Sequence, residues 1–188
     1  METMTVAQQR MTAEEYMAWD GPRGTNLVDG EVVMPQPRGL HQHVMGTIYV
    51  ALRLWTDAAA GRGWAVPPID VSLDEVNIYA PDVLWYRADR ALPSSDIRPQ
   101  PLPDLAAEVR SPSTWRYDVG AKKAAYERCG LPELWLVDSA ASEVLVFRRS
   151  TPQTAVFDVS LQLAAGDTLT SPLLPGFTLA VADAFRTP

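Results

Sequence analysis

The stretch from Pro103 to Gly130, PDLAAEVRSPSTWRYDVGAKKAAYERCG, constrains this chain most tightly. Its apolar run, Leu105 to Val109, admits one acidic residue, Glu108, then meets a Ser-Pro break and an amphipathic helix that carries Lys122. Side chains alternate along a strand, so Glu108 and Arg110 share a face and set a carboxylate beside a cation. Upstream, APDVLWY reads as a second strand opening on Pro81-Asp82. If the two strands pair, Asp82 comes to stand beside Glu108. Two carboxylates and a cation, with a backbone carbonyl near Val109, are the minimum apparatus for holding a hard divalent ion and hydrolysing a phosphodiester.

Pro103-Asp104 is a second Pro-Asp dipeptide, and distance separates the two. Asp104 lies four residues from Glu108 on the same strand, so their α-carbons are about 13 Å apart, too far for one metal. Neighbouring strands are about 4.8 Å apart, which favours Asp82. Asp104 is then a turn residue leading into the strand.

A chain of 188 residues, 47% hydrophobic and 21% charged, suits a single domain over 1–188 with a full core. The formal charge of -7 argues against a broadly basic nucleic-acid binder. Arg110, Arg116, Lys122, Lys123 and Arg128 nevertheless gather in one segment. The single cysteine, Cys129, excludes an intramolecular disulfide and a cysteine-based zinc site, and is expected to be a small buried thiol in a reducing, cytoplasmic setting. No apolar run is long enough to span a bilayer, and METMTVAQQR has no signal-peptide pattern, so no membrane partner is expected.

MTAEEYMAWD predicts a short helix with a Thr12/Glu15 capping box. NLVDGEVVMP predicts a hairpin turning at Asp29-Gly30. His41 to about Ala60 places Val44, Ile48, Ala51, Leu52 and Trp55 at helical spacing. GRGWAVPPIDVSL and NIYAPDVLWYR supply further strands, with Pro67-Pro68 confining one to an edge or a break. ALPSSDIRPQPLP is expected to be an exposed loop. Gly130 marks a helix stop, ELWLVD a strand buried on both faces, EVLVFRR and TAVFDV a meander, and SPLLPGFTLAVADAFR a strand with a terminal helix. The order predicts an α/β fold around a central sheet. G-x-x-x-x-G-K-[ST], G-x-G-x-x-G and G-x-S-x-G are all absent from the sequence, which removes phosphate-loop, dinucleotide and esterase readings.

DGEVV, GLHQHVMGTIYVAL, APDVLWYR, PDLAAEVRSPST, YDVGAKKAAYERCGLPELWLVD and GDTLTSPLLPGFTL resemble, in that order, the Uma2 family of the PD-(D/E)XK restriction-endonuclease-like superfamily. The resemblance implies a central mixed β-sheet flanked by helices, with an N-terminal hairpin, a C-terminal meander and a metal-dependent nuclease site. It implies that Asp82 and Glu108 are the metal-binding acids, with Mg2+ or Mn2+ as cofactor. Glu31 would be the acidic residue after Asp-Gly, and His41 the histidine opening the long helix. The superfamily lysine would stand where this chain has Arg110, its role passing to Lys122.

The residues themselves leave alternatives open. Lys122 either pairs with Asp118 at i, i+4 or leans over the sheet to orient water. Lys123 is expected in solvent. Arg110 either contacts substrate phosphate or pairs with Glu108 or Glu31, and as a guanidinium it is a poor general base. His41 positions water or phosphate, or satisfies a helix end; His43, two residues on, points elsewhere. Glu31 is a site acid or an exposed hairpin carboxylate. Trp115, beside Arg116, is either a core residue or a stacking partner for a base. The expectation is a nuclease acting on DNA, with Asp82, Glu108, Glu31, His41 and Lys122 in its catalytic site and a homodimer a suitable assembly for cutting two strands. The competing expectation is an inactive nuclease-fold binding or assembly module. Hydrolysis of a small phosphate-containing molecule is a third.

Overall fold

Local signals in the N-terminal third build a hairpin and one long helix, in a computed structural model that describes residues 10–22, 24–90, 98–111 and 114–187. Helix α1 (Ala13–Ala18) starts with the capping box: Glu15 N–H donates to Thr12 Oγ1 at 3.2 Å and Thr12 N–H donates to Glu15 Oε2 at 2.8 Å. Strands β1 (Asn26–Val28) and β2 (Glu31–Val33) turn at Asp29 and Gly30, whose φ values of 49° and 79° suit a two-residue hairpin loop. Helix α2 (Gly39–Asp57) buries His41, Val44, Ile48, Leu52 and Trp55 along one stripe. Strands β3 (Trp64–Val66), β4 (Val71–Asp74), β5 (Asn77–Tyr79) and β6 (Val83–Tyr86) follow. The first sheet runs β2-β1-β5-β4.

The main sheet adds β7 (Leu105–Val109), β8 (Glu133–Asp138), β9 (Glu143–Arg148) and β10 (Val159–Leu163), in the order β10-β9-β8-β7-β6-β3. Strand β3, ahead of Pro67-Pro68, is its edge. Only β7 and β8 pair in parallel among the named strands. A parallel pair needs a crossover, here α3 (Trp115–Tyr117), a π turn (Asp118–Lys122) and α4 (Lys123–Arg128). Gly130 ends it at φ 88°, with Leu131 N–H donating to the Tyr126 carbonyl and Gly130 N–H to that of Glu127. Strand alternation sends Ala107, Val109, Trp135 and Val137 toward α2, and Ala106, Leu134 and Leu136 toward Ala125 and Tyr126 of the crossover. A small pair, β11 (Thr168–Leu169) and β12 (Leu179–Ala180), leads into α5 (Val181–Phe185).

Four expectations change. The predicted helix through Lys122 is interrupted by the π turn. TAVFDV becomes strand only at Val159, because the Phe157 N–H donates to the Glu127 carboxylate at 2.6 Å instead of to a ladder. Cys129 is half-buried, beside Asp74. Of the Pro-rich loop, 91–97 lies outside the described residues, but Gln100 is buried and its backbone bonds Asp70 and Ser72. Positions 1–9 of the segment inspected for a signal also lie outside them. Among the described residues, no helix is long and apolar enough to cross a membrane.

Candidate active site

Strand pairing brings Asp82 and Glu108 together. Val83 faces Ala107 in the antiparallel β6–β7 register, so Asp82, one residue earlier, falls opposite Glu108. Val109 N–H donates to Asp82 Oδ2 at 2.7 Å and fastens the strand entry. Both acids line a cavity of about 250 Å3 together with His41, Val109, Asp118 and Lys122. Asp104 sits at the other end of β7, where Arg87 and Arg90 neutralise it.

Lys122 reaches back from the crossover onto the sheet. Its Nζ donates to Glu108 Oε1 at 2.6 Å and to Asp118 Oδ1 at 3.0 Å, with all three side chains at most 5% exposed. Lys122 therefore makes the i, i+4 pair with Asp118 and also leans over the sheet to Glu108. Tyr126, one turn further along, donates its hydroxyl to the same Glu108 oxygen at 2.8 Å. This tyrosine was not singled out from the sequence. Its i, i+4 spacing from Lys122 was the available signal, since that spacing puts both on one helical face.

His41 comes from the first turn of α2, and its Nε2 lies 3.2 Å from Asp82 Oδ2. Its Nδ1 is buried without a hydrogen-bond partner among the described residues. Burial disfavours the imidazolium, but the hydrogen bond and charge of Asp82, aided by Glu108 and Asp118, overcome it and raise the His41 pKa above its usual value. Burial also raises Glu108; Lys122 opposes this, Asp118 and Asp82 add to it, and the carboxyl reaches about 7. Burial works against the charge on Lys122, yet Glu108 and Asp118 more than compensate and hold the ammonium protonated above its ordinary range.

Other residues singled out in the sequence stand apart. Glu31 does not line the cavity: it is exposed on β2 and accepts the Tyr117 hydroxyl at 3.2 Å. The tight hairpin turn carries it outward. Arg110 pairs with neither Glu108 nor Glu31; its Nη1 donates to both oxygens of Asp138 at 2.9 Å, because β8 ends beside β7 with that carboxylate. Trp115 is partly buried, with the Arg110 guanidinium 5.5 Å from its ring centroid. His43 turns away to the Arg186 carbonyl. Lys123 lies over the Phe147 ring at 4.5 Å rather than free in solvent.

The donor set suits a hard cation held largely by water and substrate. No cluster of three or more His, Cys, Asp or Glu side chains arranged to hold a metal occurs among the described residues. Asp82 and Glu108 each have one oxygen engaged, Oδ2 and Oε1, and the other without a hydrogen bond among the described residues. Mg2+ binds in this manner, through one or two carboxylates with waters and phosphate oxygens completing the shell.

A family model described as Uma2, "putative restriction endonuclease", matches residues 13–182. No curated protein matches the chain. Among solved structures, a crystal structure from Anabaena variabilis, described as "a putative nuclease belonging to DUF820", is similar with a TM-score of 0.76 at 16% identity, over 93% of this chain and 97% of that one. At that identity the likeness is one of fold.

Proposed function

The chain belongs to the Uma2 family of restriction-endonuclease-like proteins, and from this premise we propose that it is a divalent-metal-dependent nuclease that hydrolyses DNA phosphodiester bonds. The observation that carries the reading is the buried Lys122–Glu108 contact in a cavity that Asp82 enters from the neighbouring strand. The match over 13–182 supports taking residues 1–188 as one such domain. The lone free cysteine favours a cytoplasmic setting, and a two-fold dimer suits double-strand cleavage.

Asp82 and Glu108 would hold Mg2+ or Mn2+, which when bound would supply charge neutralisation and a more acidic water. Tyr126 and Lys122 together fix the Glu108 carboxylate, and the Val109 N–H with His41 fixes that of Asp82. Lys122 stays protonated, so it orients water or steadies charge growing on the phosphate and does not remove a proton. Arg110, clasped by Asp138, does not take the place of a lysine facing the water. Glu31 does not line this cavity and is given no part in holding the ion in this reading.

Purified protein should nick or cut DNA at low salt with Mn2+, stop on chelation, and lose cleavage in Asp82→Asn and Glu108→Gln. Metal binding without cleavage of DNA or RNA would replace this reading with the inactive binding module. Cleavage that survives both substitutions would place the chemistry elsewhere.

A further inference from the structure

A large cavity with no part in that reading lies at the opposite end of the same strands. A cavity of about 760 Å3 opens where β6 and β9 end and β7 and β8 begin. That volume falls in the range of small-molecule sites. Among the described residues, Arg87, Arg90, Arg148 and Arg149 line it against two acids, Asp104 and Glu133. These four cations and two anions give the described lining an excess of two positive charges in a chain whose net charge is -7.

The four arginines are not equivalent. Arg87 and Arg90 share the Asp104 carboxylate at 2.9 and 3.2 Å. Arg149 is occupied by the carbonyls of Leu131, Glu127 and Thr154. Arg148 stands directly across from Glu133 in the β8–β9 register, the natural place for an ion pair. Glu133 instead accepts from Trp135 Nε1 at 2.6 Å and Ser171 Oγ at 2.7 Å, one on each oxygen. Arg148 thus makes no direct hydrogen bond or close ion pair among the described residues, although its charge still acts on Glu133, and its Nε is buried. Burial raises the Glu133 carboxyl, while the Trp135 and Ser171 hydrogen bonds and the charge of Arg148 oppose that shift.

We propose that this cavity is a binding site for a small phosphate monoester, with the Arg148 guanidinium gripping the phosphate and the apolar wall of Leu102, Pro132 and Leu173 covering the organic part. A planar guanidinium offers parallel donors matched to phosphate oxygens. The excess of two positive charges suits a dianion better than a single carboxylate. This site shares no residue with the Asp82–Glu108 cavity and does not depend on the nuclease reading.

Calorimetric titration of the full chain with phenyl phosphate, inorganic phosphate and benzoate tests this directly. Phenyl phosphate should bind one site more tightly than either other probe, Arg148→Gln should weaken it by about tenfold or more, and Asp82→Asn should leave it unchanged. Arg148→Lys, which retains the charge but not the fork, should also bind more weakly while giving a native circular dichroism spectrum, so misfolding is not mistaken for site loss. No binding by the wild type, or wild-type affinity retained in both Arg148 variants, overturns the proposal. Equal affinity for inorganic phosphate overturns the role of the apolar wall.

Discussion

Lys122 is where stability and the proposed chemistry meet in one side chain. An exposed i, i+4 pair with Asp118 is worth a few tenths of a kcal/mol, but this ammonium is buried between two carboxylates. Lys122→Ala leaves those acids without their counter-charge, so it should cost about 3–5 kcal/mol in urea denaturation; a loss of a few tenths would contradict the buried triad. Single-turnover cleavage should drop at least about tenfold, as expected when electrostatic stabilisation is removed. His41 and Glu108 give the metal-free protein a pH dependence of definite sign. A histidine whose folded pKa lies above the ordinary 6.5 adds stability that is full below 6.5 and is lost as pH rises through the folded value. Glu108, raised from 4.5 to about 7, binds its proton more tightly when folded, so its contribution also falls as pH climbs across that interval. In chelator the melting temperature should therefore decline between about pH 5 and pH 8, and His41→Asn should flatten the upper part of that decline. At this scale Asp82 was legible because strand spacing excluded Asp104, whereas the partners of Arg110 and Glu31 depended on where β8 ends and which way a hairpin projects, and neither is carried by periodicity.

The crossover shows what an element's sequence discloses and withholds. Gly130 marked its end and the Thr12/Glu15 pair marked another helix's start, since both act within one turn of chain. The π turn was hidden, because an added residue per turn leaves the apolar spacing on either side almost intact. Phe157 was likewise misplaced in a strand by its apolar neighbours, its N–H being claimed by Glu127 thirty positions away. Gly120, within the π turn, is exposed and has space for a methyl group, with nothing within 4 Å of the added carbon. Gly120→Ala should therefore raise stability by about 0.5–1 kcal/mol in thermal denaturation through lost unfolded-state freedom. Gly63, ahead of β3, is the counter-example. Its φ of 78° and a clash at 2.1 Å with the Tyr86 carbonyl oxygen mean that Gly63→Ala should destabilise by more than about 1 kcal/mol.

On the scale of the whole molecule, the described residues give the two ends of the central strands opposite formal charge: Asp82, Glu108 and Asp118 outnumber Lys122 and His41 at one, and arginines outnumber acids at the other. An acidic pocket in a chain of charge -7 repels a nucleic-acid backbone until cations intervene. Metal and DNA should consequently bind in a linked fashion. A ligand that binds only the folded state stabilises it by about 2.7 kcal/mol at a hundred times its dissociation constant, so saturating Mn2+ should raise the melting temperature and Asp82→Asn should remove the increment. The same substitution should abolish the gain in DNA affinity that Mn2+ brings, read by fluorescence anisotropy at low salt, and raising the salt should weaken wild-type binding through displacement of phosphate contacts. If Asp82→Asn kept both the melting increment and the DNA gain, the ion would be acting away from β6 and β7. If it lost the melting increment alone, metal binding and DNA binding would be separate properties of this fold, and the charge-compensation account would be wrong.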